Sequence, residues 1–216
     1  MQYNSDGVQA GRSAQTPEVE ANSHINLTHA YVALGDLPLA GQHLREGQRI
    51  LAQDQHKHWL RWRFNIRLSL EAAHYFLARG DVGQARTHAQ QSLAAARNAG
   101  AKKHMAGAHR LLGRAAAAEE KLDEAMREYR VALAILHQHP CPVAQWRTLV
   151  AAGRTATCQG SKIDAARLLE SAEATVVQLA NSIRSAETQQ RFLVSARAEI
   201  DKARTARPAS SNIYMR

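Results

Sequence analysis

The chain has 216 residues, with 28 lysines and arginines, 19 aspartates and glutamates, and a formal charge of +9 at pH 7. Alanine contributes 41 residues, while β-branched and aromatic types are scarce, so the composition argues against a sheet-based fold. No apolar run approaches the roughly 18 residues that cross a bilayer, and the N-terminus does not resemble a secretory signal. Two cysteines cannot form a disulfide framework, which favours a reducing, cytoplasmic location.

Both ends of the chain are rich in Gly, Ser and Pro and lack apolar periodicity. Residues 1–19 and 206–216 are therefore predicted to be flexible tails. The segment between them, residues 20–205, is predicted to be a helical repeat domain.

A pattern of small and larger residues recurs through this segment at spacings of 45, 40 and 40 residues. Each unit contains a turn, and alanine follows five residues after the start of that turn. The turns begin at Gly35, Gly80, Glu120 and Gly160, and the alanines are Ala40, Ala85, Ala125 and Ala165. A fixed period in this range predicts stacked helical hairpins.

Four helix pairs and one final helix are predicted in this segment. The pairs are 20–34 with 37–53, 56–79 with 82–98, 102–119 with 122–138, and 143–159 with 162–180. Acidic residues after the turns, such as Asp36 and Asp81, can cap the helices that follow. The final helix, 185–205, carries Phe192, Leu193, Ala196 and Ile200 on one face, which predicts a cap over the fourth pair.

These units resemble the tetratricopeptide repeat (TPR), most fully at Leu112-Gly113, Ala125, Tyr129 and Ala132. The resemblance implies an all-α, right-handed α-solenoid of about four TPR-like hairpins plus a C-terminal capping helix. It also implies a scaffold or regulatory module for protein–protein interaction. The repeats exceed the usual 34 residues and lack the family's terminal proline, so they are similar to the long TPR-like arrays of bacterial signalling and regulatory proteins.

Basic and titratable side chains recur on one face of the first helices, which line the concave surface of such arrays. The predicted partner-binding residues are His29, Arg67, His74, Arg110, Arg114, Arg147 and Arg154. Apolar residues between them are Ile25, Leu70, Leu77 and Val150. Because a guanidinium can donate two parallel hydrogen bonds to a carboxylate, the predicted partner is an acidic or carboxylate-terminated peptide. The alternative interpretation is a solvated basic face that binds nothing.

No catalytic signature is present, so the sequence predicts a protein that is not an enzyme and has no catalytic residues and no cofactor. His137, His139 and Cys141 form a short cluster, but the favoured interpretation is a loop with exposed histidines, and no metal site is predicted.

Two further binding modes stay open. The same basic face could bind nucleic acid, and Trp59 and Trp62 stand among basic residues, although we expect them to pack against the preceding hairpin. An open end of the array could also support a homo-oligomer, for example in the regulatory domain of a larger signalling or transcription system.

Overall fold

The computed structural model describes residues 2–53 and 61–207. Over these two ranges the chain forms ten α-helices and no β-strand, which confirms the all-α class and the consecutive hairpins. The helices are α1 (Gln2–Ser13), α2 (Pro17–Leu34), α3 (Leu37–Gln53), α4 (Arg61–Ala78), α5 (Val82–Asn98), α6 (Lys102–Ala118), α7 (Leu122–Gln138), α8 (Pro142–Cys158), α9 (Lys162–Asn181) and α10 (Ala186–Arg204). The predicted first residues of the second hairpin, 56–60, lie outside the described residues, as does most of the predicted C-terminal tail.

The four turns that the repeat predicts share one backbone geometry. At each turn a residue in the left-handed region ends the first helix, and the next residue's N–H donates to a carbonyl five residues earlier, as in Schellman caps. Glycine supplies the positive φ at three turns, with values of 77–79°, but Glu120 adopts φ 60° at the third. Asp36 and Asp81 accept backbone N–H bonds at 3.1 Å from residues three positions later, as predicted for caps.

The chain divides into two compact units, Met1–His104 and Met105–Arg216, which we call unit 1 and unit 2. The sequence predicts a single domain over residues 20–205. Each unit contains consecutive hairpins, and each has its own buried clusters.

In unit 1, apolar side chains of α2, α3 and α4 form two clusters. One contains Ala21, Ile25, Ile50, Leu51 and Phe64, and the other contains Ala40, Leu44, Ala72 and Tyr75. A buried hydrogen bond of 3.1 Å from Ser92 Oγ to the Ile66 carbonyl joins α5 to α4.

In unit 2, glycines on the first helices admit large side chains from the second helices. A Cβ at Gly113 would lie 2.5 Å from the Tyr129 ring, and one at Gly153 would lie 2.5 Å from Leu169. The two crossings occupy equivalent positions, 40 residues apart, in the third and fourth hairpins. The repeat's small residues therefore mark the points where helices approach closely.

The C-terminal helix α10 covers the fourth hairpin as predicted. Ala196 and Ile200 are buried in a cluster with residues of α8 and α9, and Phe192 and Leu193 lie against it. The Phe192 ring meets the Trp146 ring edge to face, with centroids 6.2 Å apart.

The N-terminal segment differs from the flexible tail predicted for residues 1–19. Helix α1 occupies much of it, and Val8 is buried. A Cβ at Gly11 would lie 2.6 Å from the backbone nitrogen of Glu20, so α1 lies close against α2. Arg12 Nε donates to Glu20 Oε1 at 2.7 Å. Because the segment has little apolar periodicity of its own, these tertiary contacts explain its helix.

We predict that Gly113→Ala lowers the free energy of unfolding by about 1–3 kcal/mol, because the new methyl group would overlap the buried Tyr129 ring. Gly83→Ala is the matched control, since Gly83 lies in α5 with only one atom, at 4.0 Å, near its added Cβ. That control should leave stability unchanged or raise it by up to about 1 kcal/mol. Thermal and denaturant unfolding, followed by circular dichroism, measure the stability of the two variants. Equal changes in stability would contradict the close contact between Gly113 and the Tyr129 ring.

We also predict that Glu120→Gly stabilises the protein by about 0.5–1 kcal/mol, because glycine adopts the positive φ of this turn without a steric penalty. Glu124→Gly removes the same side chain from inside α7 and should destabilise by about 1 kcal/mol. Denaturant titrations compare the two variants, and a loss of stability at both positions would argue against strain at Glu120.

Candidate functional site

In unit 1, the predicted groove residues Arg67 and His29 bind polar side chains of the adjacent first helix. Arg67 of α4 donates through both terminal nitrogens to α2, one to Asn22 Oδ1 and the other to Asn26 Oδ1 at 2.6 Å. His29 Nδ1 of α2 donates to Glu71 Oε2 of α4 at 3.0 Å. These contacts link equivalent faces of the first helices in successive hairpins.

His74 completes this arrangement, with its ring meeting the His29 ring edge to face at 5.8 Å between centroids. Burial lowers the pKa of Arg67, the nearby Glu71 raises it in part, and Arg63 lowers it further. Because the guanidinium of Arg67 is half-buried and bound to two amide oxygens, its contacts indicate a role in holding α2 against α4.

In unit 2, the charges of Arg110, Arg114 and Arg154 all act on the buried phenol of Tyr129. Arg110 and Arg114 are one turn apart on α6, and Arg154 on α8 is the repeat equivalent of Arg114. Tyr129 of α7 is 1% exposed, lies across Gly113, and shares a hydrogen bond with the side chain of Thr155.

The charges in this cluster act on one another. Burial raises the pKa of Tyr129 to about 12, although the Thr155 hydrogen bond and the three arginines each lower it. Burial also lowers the pKa of Arg114; Tyr129 and Glu199 of α10 raise it, while Arg154 lowers it. Collecting like charges in a partly dehydrated region costs free energy, which a bound anion would offset. We call Arg110, Arg114 and Arg154, with Tyr129, the arginine cluster.

Arg147, the remaining predicted arginine of α8, makes a different contact. Its guanidinium lies over the neighbouring Trp146 ring, 5.5 Å from the centroid. This cation–π contact is enough to hold the half-buried Arg147 in place, so its position does not require an acidic ligand.

The structure differs from the predicted positions of several apolar side chains. Ile25 is predicted to line the groove, but it is fully buried among the residues that join α2 to α3 and α4. Val150 lies against the core that α10 covers. Trp62, predicted to pack inward, is 45% exposed, and Trp59 lies outside the described residues. Helix periodicity gives the direction of a side chain only approximately, so neighbouring hairpins decide which of these positions are covered.

His137, His139 and Cys141 do not converge on one point. His137 and His139 are exposed, and Cys141 lies against a small cluster containing Leu136. Among residues 2–53 and 61–207, no group of three His, Cys, Asp or Glu side chains is arranged to hold a metal ion. Over the same ranges, no helix combines the length and apolar character that a membrane span requires.

Sequence reasoning did not identify the polar partners that define these sites. Asn26 and Glu71 hold the groove residues of unit 1, and Thr155 and Glu199 complete the surroundings of the arginine cluster. The 45-residue repeat that relates Asn26 to Glu71 was a usable signal, because it places both on the same face of successive first helices. No comparable signal pointed to Glu199, which lies beyond the repeats.

The fold is that of TPR-like helical repeats. Two solved structures from Podosopora anserina, which carry the name of a putative kinesin light chain with nearly identical TPR-like repeats, match with TM-scores of 0.53 and 0.52. The first of them is a point variant of that protein. Both are 20% identical in sequence to this chain; the matches cover 86% of it and 96% and 97% of the two neighbours. No protein-family model matches the sequence, and no curated protein sequence matches it.

We predict that Arg67→Ala destabilises the protein by about 1–2 kcal/mol, because Asn22 and Asn26 lose a charged donor between two helices. The exposed Arg63, one turn earlier on α4, provides the control Arg63→Ala. Denaturant unfolding followed by circular dichroism should separate the two variants. If the two variants were equally stable, Arg67 would have no structural role, and it would again be a candidate for binding a ligand.

Proposed function

We propose that this chain is a non-enzymatic protein–protein interaction module that captures an acidic segment of a partner through the arginine cluster of unit 2. The fold supports the general part of this proposal, because helical-repeat arrays present extended surfaces built from equivalent helix faces and use them for binding. A scaffold or regulatory role in the cytoplasm is consistent with such a module and belongs to the same proposal.

The observation that carries the specific part is that Arg110 and Arg114 on α6 and Arg154 at the equivalent position of α8 all act with their charges on the Tyr129 phenol. A guanidinium is a planar donor that binds carboxylates in a bidentate manner, and it stays charged when partly buried. The Tyr129 ring packs across Gly113 and shares a hydrogen bond with Thr155, which fixes the position of the phenol. A basic site with preformed surroundings loses less side-chain entropy when it binds a carboxylate.

The two units contribute differently to this proposal. In unit 1, Arg67 and His29 are bound to side chains of the chain itself, so they are poorer candidates for contacts to a ligand. In unit 2, Arg154 is exposed on α8, where a ligand can reach it. Glu199 of α10 acts on Arg114 as a negative charge.

The proposal predicts the result of a peptide selection. A random peptide library displayed on phage should be enriched in Asp and Glu when it is selected on the wild-type protein. The triple variant Arg110→Gln/Arg114→Gln/Arg154→Gln should lose this enrichment and bind the selected peptides at least about tenfold more weakly, since a charge-assisted hydrogen bond contributes about 1.5–3 kcal/mol.

A matched control removes the same number of positive charges at other positions of unit 2. Arg127, Arg130 and Arg184 are exposed in unit 2, and their triple change to Gln removes the same three positive charges. This control should retain the selected peptides. Selection of peptides that lack acidic residues would contradict the arginine cluster as the binding site. An equal loss of peptide affinity in the two triple variants would contradict it as well.

The nucleic-acid alternative is tested on the same proteins. Fluorescence anisotropy with a single-stranded oligonucleotide should show at most weak binding, with no preference for wild type over the control variant. Tight oligonucleotide binding whose affinity falls steeply with salt would replace the peptide proposal, because several phosphate contacts release several counterions.

A further inference from the structure

Two histidines of unit 1, His24 on α2 and His43 on α3, form a pair in the first hairpin. Their Nδ1 atoms are 2.9 Å apart, and their ring centroids are 5.1 Å apart. His24 is 3% exposed, and the Tyr31 ring stacks on His43 at an angle of 7°. His24 is therefore enclosed between the helices, while His43 is half-buried.

This geometry accepts one proton between the two Nδ1 atoms. One ring must donate its N–H while the other accepts with its lone pair, so at least one ring presents a deprotonated Nδ1. If both rings became imidazolium ions, two N–H groups would face each other at 2.9 Å and two positive charges would lie in contact. The second nitrogen of His24, Nε2, is buried and has no hydrogen-bond partner.

The charged groups around the pair come from three helices. Arg12 of α1 disfavours a positive charge on His24, whereas Glu20 of α2 and Glu46 of α3 favour it. Glu20 Oε1 is 3.8 Å from His24 Nε2, but Arg12 already binds this carboxylate at 2.7 Å. From α4, the apolar side chain of Leu68 closes the same region beside Gly47.

Burial is the largest of these effects. It lowers the pKa of both histidines, and for His24 the neighbouring His43 lowers the pKa further. The unfolded chain therefore binds protons more readily than the folded hairpin when the pH falls below the ordinary histidine value of 6.5. Stability that is present above this value is lost as the pH falls through it toward the lowered pKa values.

We propose that the His24–His43 pair is an acid-sensitive latch that holds α2 against α3 at neutral pH and loosens the first hairpin on acidification. The proton shared between the two Nδ1 atoms stabilises the closed hairpin, and protonation of both rings to imidazolium removes this hydrogen bond and places like charges in contact. Where His24 is the ring that donates from Nδ1, its protonation adds an N–H at Nε2 that competes with Arg12 for Glu20, so acidification weakens the contact between α1 and α2.

The test compares stability at pH 7.5 and 5.5 in the full chain. The double variant His24→Leu/His43→Phe replaces the pair with apolar side chains and retains a ring against Tyr31. By linkage, each histidine of the pair contributes up to about a tenfold rise in the unfolding equilibrium constant at pH 5.5. Wild type should therefore show a larger rise than the double variant, by up to about a hundredfold for the pair, while the control His137→Gln, at an exposed position of α7, should match wild type.

The same pH dependence in wild type and in the double variant would overturn the proposal. A second measurement needs no substitution: ¹H–¹⁵N spectra of the imidazole rings report the protonation of each histidine in the folded wild-type protein. We expect both rings to be mainly neutral in folded molecules at pH 6.5, with one Nδ1 protonated between them. Imidazolium signals from both rings at that pH would equally overturn the latch.

Discussion

The close approach of helices at small residues is the constraint on which both units depend. At Gly113 and Gly153 the absence of a Cβ lets Tyr129 and Leu169 lie against the backbone of the first helix. At Gly41 of α3, the Tyr75 hydroxyl occupies the space that a Cβ would need. The chain can build such contacts because alanine and glycine recur at fixed positions. Alanine accordingly supplies about half of the buried hydrophobic side chains among the described residues.

Packing of this kind also fixes where polar groups can lie. Tyr129 crosses Gly113 to reach Thr155, and this places a phenol where Arg110, Arg114 and Arg154 act on it. The arginine cluster is thus a consequence of the hairpin crossing, since the ring that fills the core also carries a polar end. The same principle applies to His24 and His43, which fill space between two helices and carry a proton between them. In both cases the physical cause of the perturbed pKa is burial.

Equivalent repeat positions have different electrostatic roles in the two units. Arg67 lies between two asparagines, and His29 is bound to Glu71, so this face of unit 1 is satisfied by its own side chains. In unit 2 the corresponding face collects positive charge, with Glu199 as an acidic neighbour of Arg114. A repeat preserves backbone geometry, whereas the side chains at one register position determine whether a helix face supports the fold or is suited to binding.

The sequence by itself determined the helical class, the hairpins and their turns, because local propensity, the 40- and 45-residue period and the capping residues all act through near neighbours in the chain. It also placed the predicted arginines on first helices. Only the tertiary structure decided that α1 forms, that Ile25 is buried, and that Arg67 is bound to Asn22 and Asn26. Those outcomes depend on contacts between residues far apart in sequence, and helical periodicity indicates the face of a side chain without indicating what covers it.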